Sequence, residues 1–121
     1  MIRQTLLSLS LAALGASAFP ALAQTTDSSG VLRDMSGKTL YIFDKDSGGV
    51  SACNDGCAAV WPPYLAPTGA KATDRLTLHP RKDGKLQWGV GGKPLYYYAP
   101  DTAPNDAKGD GVGGVWHVIK K

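Results

Sequence analysis

The chain has 121 residues, 19% of them charged, and a formal net charge of +3. Basic and acidic residues are interspersed, which excludes the dense basic stripe of a nucleic-acid binder. One small domain is the size that fits, once the amino-terminal stretch is set aside.

That stretch has the pattern of a secretory signal peptide. Arg3 gives a positive start, 6–14 an apolar run, and Ala21-Leu22-Ala23 a small-x-small cleavage site. Ser8, Ser10, Gly15, Ser17 and Pro20 break the run, so it falls short of the roughly 20 apolar residues of a membrane span. Cleavage after residue 23 leaves 98 residues (121 − 23), with 12 basic and 10 acidic side chains. No cysteine stands directly after the cleavage site, so no lipid anchor is expected, and with the signal removed no membrane span is expected of the mature chain. Its expected location is the periplasm or the exterior.

Residues 24–30 are small and polar and read as a disordered arm. A strand over 31–35 and a turn at Ser36-Gly37 follow. The best strand of the first half is 39–44, where alternation sends Leu40 and Ile42 to one face and Tyr41 and Phe43 to the other. Two apolar faces predict a central strand. A short helical turn near 57–61 ends at Pro62-Pro63, and 64–75 reads as a linker. Strands at 76–79 and 86–90 flank a hairpin turn at Lys82-Asp83-Gly84-Lys85. Pro94 opens a strand to Tyr98, 101–114 is a Gly-rich loop, and 115–119 is the last strand.

The segment 37–61 recurs 55 residues later. Gly37, Lys38, Leu40, Tyr41, Asp46, Ala52, Asp55, Gly56, Val60 and Trp61 have identical partners in Gly92, Lys93, Leu95, Tyr96, Asp101, Ala107, Asp110, Gly111, Val115 and Trp116, so 10 of 25 positions match. This is an internal duplication. Repeat one spans about 31–63 and repeat two about 76–119, within a single domain over 31–121. The expected fold is all-β: a small antiparallel domain, meander, barrel or sandwich, of two pseudo-symmetric repeats.

The two copies of Tyr-x-aromatic-x-x-Asp, the Cys-x3-Cys loop before Trp61-Pro62-Pro63 and the Gly-rich approach to Trp116 resemble a bacterial secreted-repeat or lipoprotein family known for its Y-x4-D motif. The resemblance covers about 31–119. It implies export and no defined activity, the family being of unknown function. Many of its members are lipoproteins, and this chain departs from them in lacking the lipobox cysteine.

Several side chains are candidates for chemistry. Tyr41, Asp46, Tyr96 and Asp101, with Phe43, Tyr98, Trp61 and Trp116, are read as structural: rings fill the core and each aspartate caps the backbone of its own loop. Cys53 and Cys57 are expected to pair in an oxidising compartment. The alternative is copper handling or thiol redox chemistry, with Met35, His79 or His117 as further ligands, although Cys-x3-Cys is not the Cys-x-x-Cys redox motif. Asp101, Asp106 and Asp110 suggest calcium, but counting from Asp106 an EF-hand would need oxygen ligands where Lys108 and His117 stand. No serine sits in a nucleophile elbow, so no catalytic residue, enzyme activity or cofactor is expected. Tyr64, Trp88 and Tyr97 are the candidates for an exposed aromatic surface. The function expected is an exported binding or interaction module whose unidentified partner is a periplasmic or envelope protein.

Overall fold

A computed structural model describes residues 25–28 and 30–120. The expected export signal lies outside the described residues. Strands β1 (Thr25–Ser28) and β2 (Val31–Asp34) form an antiparallel hairpin. β3 (Tyr41–Phe43) pairs with β8 (Trp116–Val118), Tyr41 opposite Val118 and Phe43 opposite Trp116. Between them lie helix α1 (Gly56–Val60), β4 (Leu65–Ala66), β5 (Leu76–Pro80), β6 (Leu86–Val90), β7 (Lys93–Pro94) and a 3-10 turn at Val112–Gly114. β6 is the hub of a four-stranded sheet, with β5 along one side and β4 and β7 along the other. These are three small antiparallel sheets; the described residues close no barrel.

Thr25–Ser28, expected within a disordered arm, instead extend β2 as an edge strand. An edge strand gains ladder hydrogen bonds without needing an apolar face, and threonine favours extended backbone. The second main strand is also shorter than expected. After β7 it continues only as an isolated pairing of Tyr96 with Tyr41 and Pro63.

The pairing of Tyr41 with Tyr96 marks the pseudo-twofold relation. Tyr41 N donates to Tyr96 O (2.8 Å), and Tyr96 N donates to Tyr41 O (2.9 Å). Each residue therefore pairs with its own repeat equivalent. Around this point the bonds come in matched sets. Asp44 N donates to Val115 O and Ala99 N to Val60 O, both at 2.8 Å.

β3 is central, as its two apolar faces predict: Tyr96 flanks it on one side and β8 on the other. Its alternation feeds two cores. Tyr41 and Phe43 join Cys53, Trp61, Tyr96, Trp116 and Val118 in one, while Leu40 and Ile42 join Leu32, Leu76, Trp88 and Leu95 in the other. Each buried Tyr or Trp removes about 150–250 Å² from water, an upper-bound gain of roughly 4–6 kcal/mol per ring before chain entropy.

Candidate functional site

The repeated motif residues converge in the first core. Phe43, Trp116, Trp61 and Tyr98 stack in that order, with centroid separations of 4.0, 3.8 and 4.1 Å. The two tryptophans are parallel to within 1°. Phe43 and Tyr98 are repeat equivalents, as are Trp61 and Trp116, so each repeat's tryptophan lies on the other repeat's aromatic. Tyr41 meets Trp61 edge-on at 5.4 Å, and Tyr96 meets Trp116 edge-on at 5.1 Å. Gly109 lines this stack because a Cβ there would come within 2.7 Å of the Trp61 ring.

The hydroxyls cross between repeats as well. Tyr41 OH donates to Asp101 Oδ2 (2.5 Å), and Tyr96 OH donates to Asp46 Oδ2 (2.8 Å). The second oxygen of each aspartate accepts from its own loop: Asp46 Oδ1 from Ala52 N (2.7 Å), Asp101 Oδ1 from Lys108 N (2.9 Å). Each aspartate thus bonds the backbone of its own loop and the tyrosine of the other repeat. Tyr41 OH also accepts from Gly109 N (3.1 Å), whereas Tyr96 OH lies 2.5 Å from Ser51 Oγ. Burial first, then the adjacent aspartate, pushes the Tyr41 phenol well above its ordinary range. Burial pushes the Tyr96 phenol up too, helped by Asp46 and partly opposed by the Ser51 hydroxyl. Desolvation likewise raises the Asp46 carboxyl, against the opposing bonds from Ala52 and Tyr96.

Cys53 and Cys57 form a disulfide with Cα atoms 5.2 Å apart. Neither sulfur is available as a thiolate ligand in this state. His79 is buried, and both its nitrogens are engaged: Nδ1 with Gly49 O (2.8 Å), Nε2 with Thr77 Oγ1 (2.7 Å). His117 Nε2 lies 2.8 Å from Asp44 Oδ2 at the surface. The structure does not bring the Cys53–Cys57 pair and the two histidines together. Among the described residues no group of three His, Cys, Asp or Glu could hold a metal ion. In the Gly-rich loop, Asp106 Oδ2 accepts from Thr102 N and Ala103 N, both at 3.0 Å. Asp110 Oδ1 accepts from Val118 N at 3.1 Å.

The exposed aromatic surface is corrected. Trp88 is 3% exposed in the second core, because β6 is the hub of its sheet and its inward face is covered. Tyr64 and Tyr97 are half-buried and touch at 5.4 Å, with Tyr97 OH donating to Asp34 Oδ2 (2.7 Å).

Sequence reasoning missed Arg81. Its guanidinium, at a residue 7% exposed, donates to Ser51 Oγ (3.1 Å), Gln87 Oε1 (2.7 Å), Cys53 O (2.8 Å) and Asn54 Oδ1 (3.1 Å). It ties the disulfide loop to the β5–β6 hairpin. An arginine at the mouth of a polar hairpin turn carries no local mark of burial. Beside it, an open cleft of about 610 Å³ is lined by Asn54, Asp55, Ala59, Leu65, Lys82 and Lys85 among others.

A family model described as a secreted repeat of unknown function matches the chain twice, at residues 23–64 and 77–120. No curated protein and no solved structure matches significantly.

Proposed function

Because the chain belongs to a family of secreted repeats of unknown function, we propose that it is an exported, non-enzymatic binding module. The observation that carries this reading is the crossed use of the motif. Tyr41 and Tyr96 direct their hydroxyls to the other repeat's aspartate, and Trp61 and Trp116 stack between repeats. Side chains held this way have roles as a scaffold, and catalytic or ligand-binding duty is not needed to account for them. Residues 1–23 act as the export signal in this reading. The loops around the disulfide form the contact surface.

Native mass spectrometry tests it, on protein exported by its own cells and purified without chelator or reductant. The reading expects a chain starting at Gln24, two hydrogens light, free of metal and carrying a stoichiometric protein partner. A chain carrying copper with both cysteines reduced would replace it with the metal-handling reading.

A further inference from the structure

The two repeats differ most at one corner. β2 starts at Val31, three positions after the end of β1 at Ser28, whereas Arg81–Lys85, five residues, join β5 to β6. Cys53 and Cys57 align with Lys108 and Val112, so only repeat one has a disulfide loop. These departures from the pseudo-twofold relation meet at the 610 Å³ cleft. A scaffold built on symmetry has no structural need for this asymmetry.

The cleft has two chemically distinct walls. On the hairpin side, Arg81 is held by four neutral acceptors, and its charge also favours the ionised form of the Asp46 carboxyl. Lys82 and Lys85 stand exposed on the rim beside it. Asp83, exposed and also lining the cleft, accepts from Lys85 N with one carboxylate oxygen (2.9 Å). Asp55 belongs to the opposite, helix side. On that side Ala58, Ala59, Pro63 and Leu65 line the cleft, and Leu65 is 41% exposed. A second depression, of about 380 Å³, continues past Leu65 and Lys85 to Pro67 and Leu86. The groove is therefore elongated, cationic along one side and apolar along the other.

Resting on the binding-module reading, we infer that this groove docks an extended acidic peptide segment of a partner protein. Its carboxylates face Lys82 and Lys85, and its intervening apolar side chains lie on Ala59, Pro63 and Leu65. In an extended strand successive side chains point to opposite sides, which suits a groove with one charged and one apolar wall. Arg81, buried and with its four terminal N–H bonds given to neutral partners, adds a fixed positive charge behind the two exposed ammonium groups.

The test is NMR titration of the full mature chain with a synthetic octapeptide of alternating Glu and Leu. Its Gln–Leu and Lys–Leu counterparts and anionic phosphatidylglycerol vesicles serve as the comparisons. Amide shifts confined to 54–66 and 81–86 are expected, with affinity falling as salt rises. The double variant Lys82→Glu, Lys85→Glu, at exposed positions, should lose about tenfold or more in affinity for the Glu–Leu peptide. Equal binding of the Gln–Leu peptide, shifts elsewhere, no shifts, or binding only to vesicles would each overturn the proposal. The partner-bound mass described above separates the two readings. If it is present while the acidic peptide fails, the binding module stands and the peptide chemistry falls.

Discussion

Replacing each motif aspartate by asparagine should have unequal effects, although the two residues are repeat equivalents. Both oxygens of Asp101 accept hydrogen bonds, one from Tyr41 OH and one from Lys108 N. Tyr41 OH in turn accepts from Gly109 N, so its own proton must go to Asp101. Asparagine offers one accepting oxygen and one NH2 group that only donates, so Asp101→Asn leaves the buried Tyr41 OH or the part-buried Lys108 N–H unmet whichever way the amide turns. An unsatisfied buried group costs about 1–3 kcal/mol. For a domain of this size that lowers Tm by roughly 4–24 °C.

Asp46 has a way out. Asp46 is only half-buried and the Ala52 N–H that it caps is exposed, so an asparagine there can keep its oxygen on Tyr96 OH and leave that N–H to water. Removing the charge also removes the desolvation penalty that raises the Asp46 carboxyl. Asp46→Asn should therefore cost less than about 1 kcal/mol. Thermal unfolding followed by near-UV circular dichroism, with the disulfide intact, measures both. Asp46→Asn costing as much as Asp101→Asn would refute this account of the two carboxylates' surroundings.

Two further outcomes follow from the same geometry. Alkaline titration at the tyrosinate absorbance should show Tyr41, Tyr96 and Tyr97 staying protonated beyond pH 10, where unfolded tyrosines ionise, since burial raises all three. A raised folded-state pKa gives stability that is full below about pH 10 and lost as pH rises above it. Denaturant midpoints should accordingly fall there; a flat midpoint into that range would contradict the sign. Reducing the disulfide opens a loop of only five residues, Cys53 to Cys57, and should cost about 2 kcal/mol on the chain-entropy account. Denaturant melts with and without reductant check this, and global unfolding on reduction alone would show the loop to be central to the fold.

Much of the fold was legible because duplication and alternation are properties of neighbouring letters. The constant offset of 55 gave two halves, and alternation along 40–43 assigned Leu40 and Ile42 to one core and Tyr41 and Phe43 to the other. The Cys53–Cys57 disulfide was legible from spacing and compartment. The crossed Tyr–Asp bonds were not. A spacing of five residues suggests a partner within the motif, whereas the partners lie 60 and 50 positions apart and meet only because the repeats pack antiparallel at Tyr41 and Tyr96. Trp88 was misplaced because its strand alternates weakly, and its burial comes from strands on both sides. Arg81 escaped notice because its four acceptors come from Ser51, Cys53, Asn54 and Gln87, at distances along the chain that no local pattern records.

The central claim is that the repeats hold each other through exchanged motif partners, and double-mutant cycles in urea address it most directly. Tyr→Phe and Asp→Ala changes are combined in all four Tyr–Asp pairings of Tyr41, Tyr96, Asp46 and Asp101. The crossed pairs, Tyr41 with Asp101 and Tyr96 with Asp46, should show coupling of about 1 kcal/mol or more. The within-motif pairs, Tyr41 with Asp46 and Tyr96 with Asp101, should be additive within about 0.5 kcal/mol. Coupling inside each motif and additivity across repeats would contradict the account.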